Sequence, residues 1–263
     1  MGSFITNLHV RDADRNAVIE ALRSLGLVPA YLRGSPQSTW ISIFPEAGDQ
    51  DDTALPEMSR ALSKALKCTV IAFIVHDSDI LLYWLCNDGK ELDRYNSAPS
   101  YFIGQETPPE GGNPETLLAY CQPGTSTDRL LRLLHPERNA PAAQAPRKSD
   151  NDAIKDAMRK KLRQSYPTIA AKMPNPPSLE EFLAEAERRM ANRHAPDKGV
   201  PSAAKEFPFA EDQLAELAKA LDIRDGLAID SYRYLANGEG SPGSLTLVLP
   251  KGEKAIRLNG GLT

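Results

Sequence analysis

Residues 69–96 read TVIAFIVHDSDILLYWLCNDGKELDRYN, two apolar runs split by a four-residue polar corner and followed by Asn87-Asp88-Gly89. A run such as TVIAFIV, apolar at nearly every position and rich in β-branched residues, is the pattern of a strand buried on both faces. Asn-Asp-Gly is a strong hairpin signal, because these residues tolerate the positive φ of a type I′ turn. The stretch specifies a three-stranded meander, with KELDRYN as a charged edge strand. The rest of the chain has to be arranged around it.

Upstream, FITNLHV (4–10) alternates as a strand and RDADRNAVIEALRSLG (11–26) follows as a helix. In that helix Asp12 is the expected N-cap, Val18, Leu22 and Leu25 form the apolar stripe, and Gly26 takes the left-handed C-terminal position. LVPAYLRG and STWISIF read as strands joined by the turn GSPQ, and TALPEMSRALSKALK as a helix that tolerates Pro56 in its first turn. The order β-α-β-β-α-β with extra strands predicts an α+β fold, a ferredoxin-like sheet with helices on one face. Beyond it the chain turns helical. PETLLAYC and STDRLLRLLHP are short helices, and residues 136–152 form an Ala- and Pro-rich linker. SLEEFLAEAERRMANR opens with a capping box of Ser178 and Glu181, and AEDQLAELAKALD is another amphipathic helix. SLTLVLPKGEKAIRLNG closes as a β-hairpin. The expected organisation is an α/β sandwich domain over 1–135, a linker over 136–152, and a helical region with a C-terminal hairpin over 153–263.

The hydrophobic fraction of 41% and charged fraction of 25% are those of an ordinary globular chain. No apolar run approaches the roughly 20 residues of a membrane helix, and the N-terminus lacks the basic and apolar regions of a secretory signal. The Gly2 and Thr6 register of N-myristoylation is present, but with no second membrane signal it is read as chance. Cys68, Cys86 and Cys121 are too few and too scattered for a disulfide framework or a zinc site, so a reducing, cytoplasmic setting is expected. Cys86 reads as a small core residue. Net charge is −4. Residues 1–135 carry 11 basic against 17 acidic residues, whereas the remainder carries 20 against 18. That balance lacks the basic footprint of a nucleic-acid binder.

Candidate sites are few. His76, Asp77 and Asp79 are the residue types of a metal-assisted hydrolase. The competing reading, and the preferred one, is a polar hairpin corner, because Asp and Ser bond their own backbone in turns. Glu46, Asp49, Asp51 and Asp52 could meet a basic partner, although acids also favour helix N-termini. Trp84, Tyr95 and Tyr101 are candidate aromatic anchors, with Tyr83 and Trp84 necessarily on opposite faces of one strand. His135 stands at a helix C-terminus, where the dipole alone explains it. Lys155, Arg159, Lys160, Lys161 and Arg163 make residues 147–163 the best case for a nucleic-acid contact, diluted by Asp150, Asp152 and Asp156. No nucleophile elbow and no phosphate loop is present.

VHDSD-x-x-x-YW, at Val75–Trp84, and YNS-x-P-x-YF, at Tyr95–Phe102, together resemble the core of a family of uncharacterised bacterial proteins. The resemblance covers roughly 1–135 and part of 207–236. It implies a bacterial cytoplasmic protein in which the HDSD segment is a structural hallmark, and it transfers no activity. The expectation is then a non-catalytic protein-binding module without a cofactor, in its concrete form an immunity protein neutralising a basic bacterial toxin. The alternatives are the metal-assisted hydrolase and a weak nucleic-acid binder through 147–163.

Overall fold

The computed structural model describes residues 2–34, 38–103, 107–136, 163, 166, 177–184, 207–224, 227–240 and 244–258. The chain forms two compact units, one of residues 1–139 with 206–263, the other of residues 140–205. The expected boundary, which joined 153–263 in one region, is thereby corrected: the C-terminal segment belongs to the unit that holds the sheet.

That unit is built on a nine-stranded antiparallel sheet. Its strands are β1 (Ile5–Arg11), β2 (Ala30–Gly34), β3 (Trp40–Pro45), β4 (Thr69–His76), β5 (Ile80–Asn87), β6 (Lys90–Asn96), β7 (Glu110–Gly111), β8 (Leu245–Val248) and β9 (Ile256–Leu258). Their spatial order is β7-β6-β5-β4-β1-β3-β2-β8-β9. The meander β4-β5-β6 is present in register from Thr69 opposite Asn87 to His76 opposite Ile80, with Asp88 and Gly89 at φ 47° and 77° in the second hairpin. The terminal hairpin β8–β9 also forms. Strand β6 is not an edge over its whole length, because β7 pairs with Tyr95 and Asn96.

Helices lie on both faces of the sheet, not on one. On the first face α1 (Arg15–Ser24) and α2 (Ala54–Leu66) bury Val18, Leu22, Leu55 and Leu62 against Leu8, Val10, Ile43, Val70, Ala72 and Trp84. Helix α1 is capped by Asp14, whose carboxylate accepts from the Asn16 and Ala17 amides; Asp12 has φ 53° and stands outside the helix. Gly26, at φ 69°, takes the left-handed position expected of it. On the second face α3 (Pro114–Leu118), α4 (Thr127–Leu134) and α5 (Ala210–Leu221) cover Ile71, Phe73, Val75, Tyr83 and Leu85. A 3-10 turn (Leu227–Ile229) and the short α6 (Tyr232–Ala236) complete this layer, with Leu235 packed on Tyr31 and Phe44.

The C-terminal end of α5 shows how the returning segment is secured. A helix leaves its last carbonyls without intrahelical donors. Here Gln122 Nε2 donates to the Lys219 carbonyl at 2.7 Å and the Gln122 amide to Ala220 at 2.8 Å. The Trp40 indole donates to Leu221 at 2.7 Å and the Ser38 hydroxyl to Asp222 at 2.8 Å. Every one of these donors lies far upstream in the chain.

In the second unit, the capping box at Ser178 is formed. The Ser178 amide and hydroxyl both donate to the Glu181 carboxylate at 2.8 Å, which holds that carboxyl below its usual range. Leu183 is buried and Tyr166 meets Phe182 at 5.4 Å between ring centroids. The remainder of the helix expected over SLEEFLAEAERRMANR, from residue 185 on, lies outside the described residues.

Candidate functional site at the acidic end of the sheet

Asp77 and Ser78 have φ of 51° and 61°, and the Asp79 amide closes the turn on the His76 carbonyl at 3.0 Å. Positive φ at both central residues is the conformation that matches the twist of the flanking strands, and Asp tolerates it. The corner is then tied into the structure on every side. The Ser3 amide donates to Ser78 Oγ at 2.7 Å, and the Ser78 amide returns a bond to the Ser3 carbonyl at 3.1 Å. Both hydroxyls donate to Glu211 Oε1 at 2.9 Å, and the Ala210 amide donates to the Ser78 carbonyl at 2.8 Å. Gly2 passes so close that a Cβ there would lie 2.2 Å from an Asp77 carboxylate oxygen. A close approach of that kind requires glycine, and it gives Gly2 a structural reason for its identity.

His76 and Asp79 do not converge. His76 Nδ1 faces Gln50 Oε1 at 3.0 Å, and its ring meets Phe4 and Phe102 edge-on at 5.1 and 5.5 Å. Asp79 accepts from the Tyr101 hydroxyl at 2.9 Å. Among the described residues no three His, Cys, Asp or Glu side chains are grouped as metal ligands. The HDSD segment is a junction between β4, β5, the N-terminal segment and α5.

The acidic loop lies beside it. Gln50 is the bridge, donating to the Ile5 and Val75 carbonyls at 3.0 and 3.1 Å while facing His76. Two acidic stretches that the sequence separates by some 25 residues thus meet at one end of the sheet. Asp49 pairs with Arg233 at 3.0 Å, and Asp51 caps α2 by accepting from the Thr53 and Ala54 amides at 2.9 and 2.8 Å. Glu46 and Asp52 are exposed. Asp51→Ala removes that cap and is expected to lower stability by about 1 kcal/mol in urea unfolding. An unchanged midpoint would show that Thr53 caps the helix instead.

The three candidate aromatics divide. Trp84 and Tyr95 are core side chains, not surface anchors: they are 8% and 2% exposed, because β5 and β6 are covered by helices. Tyr95 stacks on Tyr83 at 5.5 Å, donates to the Leu134 carbonyl at 2.7 Å and accepts from Gln213. Tyr101 does belong to the acidic end, through Asp79 and through Phe102 at 5.3 Å. Phe102 is 75% exposed there, and Phe209, which leads into α5, is 47% exposed. Phe102 is among the aromatics that the sequence offers, in a Ser/Pro-rich loop with no apolar periodicity around it, whereas Phe209 carries no such signal.

Elsewhere the chemistry is quiet. Burial pushes the Cys68, Cys86 and Cys121 thiols up to about 11, away from thiolate reactivity. A hollow of about 350 Å³ is lined by Asp93, Gly111, Gly112, Asn113, Pro114, Glu115 and His135. Its Asp93 already accepts from the Tyr83 hydroxyl at 2.6 Å and the Asn113 amide at 2.8 Å. His135 is buried, with Nε2 facing the Gly112 carbonyl at 3.2 Å. The basic residues 155–161 lie outside the described residues, and Arg163 approaches Glu180 at 3.9 Å. No described helix is long and apolar enough to cross a membrane.

A third polar group escaped the sequence reading. His9, Asn7 and Ser42 are all fully buried on the second face of the sheet. His9 Nδ1 lies 2.7 Å from Ser42 Oγ and Nε2 lies 2.8 Å from Asn7 Oδ1. The residue types are those of a nucleophile and a base, but a serine with no access to solvent or substrate has nothing to attack. The alternation Asn7, His9 on one face of an otherwise apolar strand was the legible sign.

Comparison with protein-family models, curated proteins and solved structures finds no match to this chain.

Proposed function

We propose that the chain is a non-catalytic protein-binding module whose working surface is the acidic, aromatic end of the sheet. One observation carries the reading: Gln50 brings the loop 46–52 against the corner 76–79, and the largely bare Phe102 ring stands beside them. A projecting aromatic within a mainly acidic rim is the composition of an anchor with charge complementarity to a basic surface. A basic protein is the partner such a surface fits, and neutralising a basic bacterial toxin is its narrower form. Asp49 and Asp51 are partly committed to Arg233 and to α2, so Glu46, Asp52 and the exposed Asp212 are the freer rim charges. The order β4-β1-β3-β2, all antiparallel with α1 and α2 in the crossovers, supports reading this half as a ferredoxin-like unit with strands added at both sides. The hydrolase alternative gains no such support, because His76 and Asp79 turn to different partners.

Phe102→Ala tests the reading. Melting should stay within about 0.5 kcal/mol of wild type, as for other exposed positions. Retention of a stoichiometric basic partner from native lysate should fall at least about 30-fold, the effect of losing an anchor worth 2 kcal/mol. Failure of the wild type to retain any stoichiometric partner at low salt, or equal retention by F102A, would overturn it.

A further inference from the structure

We propose that His9 makes the seating of residues 227–236 on the sheet labile to acid, so that this segment lifts from the second face before the core opens. The inference stands apart from the binding reading above and rests on the hydrogen-bond directions around one buried ring.

Those directions are fixed by elimination. Asn7 Nδ2 donates both its hydrogens, to the Ala228 carbonyl at 2.8 Å and the Asp230 carbonyl at 2.9 Å. Its Oδ1 is therefore the atom presented to His9, which requires a hydrogen on Nε2. Nδ1 is then bare and accepts from the Ser42 hydroxyl. The chain of donation runs Ser42 to His9 to Asn7 to the backbone of the 227–230 turn. It is complete only with a neutral ring. A proton on Nδ1 takes away the acceptor that Ser42 uses and places a charge where no water reaches.

The charged neighbours offer that proton no compensation. Arg33 stands opposite Ser42 across β2–β3, and the Asp230 carboxylate near it is engaged with its guanidinium at 3.4 Å. Arg11, two residues along β1, lies over Trp40 and beside Asp12. From β4 the ring faces apolar side chains, Phe73 at 5.6 Å and Ile71 directly across the ladder. Burial holds the His9 pKa down to about 3 from 6.5. A folded-state pKa below the unfolded one gives stability that is complete above pH 6.5 and is lost as pH falls toward 3.

Acid therefore favours any state in which His9 is hydrated, and the least extensive such state is the one that removes its cover. That cover is the segment the relay itself holds, through Ala228 and Asp230. The same segment carries Arg233, paired with Asp49, and Tyr234, whose hydroxyl accepts from the Phe4 amide at 3.0 Å. Its release would loosen two ties at the acidic end.

Amide hydrogen exchange of the full chain from pH 7 to 4.5, corrected for intrinsic rates, tests this. Protection over 227–236 should fall about 50-fold between pH 6.5 and 4.5, following one proton taken up per opening. Peptides from β4 and β5 should lose far less. In His9→Gln the fall over 227–236 should be within about threefold. Equal losses in the segment and in β4–β5 of the wild type, or the same fall in H9Q, would overturn the proposal. So would an imidazole resonance of His9 titrating near pH 6.5 in the folded wild type, a measurement that needs no variant.

Discussion

Trp40→Ala should remove about 4 kcal/mol of stability, the cost of deleting a large buried aromatic and leaving a cavity. The side chain is 1% exposed and touches the sheet, the returning helix and Arg11, whose guanidinium lies 5.7 Å from the ring centre. Its indole N–H also satisfies the Leu221 carbonyl at the end of α5. The two contributions separate by substitution. Trp40→Phe keeps most of the apolar bulk and loses the donor, so it should cost about 1–3 kcal/mol, the penalty for a buried acceptor left unpaired. Urea unfolding of the two variants should rank alanine well below phenylalanine. Equal midpoints would mean that packing alone seats α5 and that the bond to Leu221 carries no weight.

A comparable loss is expected at the ion pair of Arg33 and Asp230, whose side chains are each 5% exposed. Asp230→Ala leaves a guanidinium in the interior with its carboxylate gone, and breaking a buried pair in this way costs about 3–5 kcal/mol. Replacing both groups with apolar residues removes the stranded charge. Arg33→Met combined with Asp230→Leu should therefore be more stable than Asp230→Leu alone, as urea unfolding of the double-mutant cycle will read. Single and double losses that simply add would show that the pair is uncoupled and that the cost lies in the Asp230 backbone, where Asn7 donates.

The meander was legible because periodicity and turn chemistry agree there: TVIAFIV has no polar face, and Asp88-Gly89 supplies the positive φ. The same apolar strand carries a second signal. A strand buried on both sides needs two helical layers, and α1 with α2 can supply only one. The amphipathic stripe of α5 showed that it buries Leu214, Leu217 and Leu221, but a stripe does not say against what. The partner face lies more than a hundred residues upstream, and no local pattern encodes that distance. At the candidate site the polar corner was read as a turn, and its residues do bond within a turn. The adjacency of the two acidic stretches was out of reach, because it depends on a single glutamine, Gln50, spanning β1 and β4. Trp84 and Tyr95 are candidate anchors in the sequence, and their burial is not legible there, because a strand pattern cannot show which of its faces acquires a cover.

The donors that close the last turn of α5 come from Ser38, Trp40 and Gln122. During synthesis the ribosome delivers those residues, and the apolar face around Phe73 and Tyr83, well before the helix that will shield them. At roughly 5–20 residues per second, that face waits several seconds for its lid. A chain arrested in this interval presents a sticky aromatic plane, which makes the nascent form dependent on whatever holds it in solution until translation has passed Leu221.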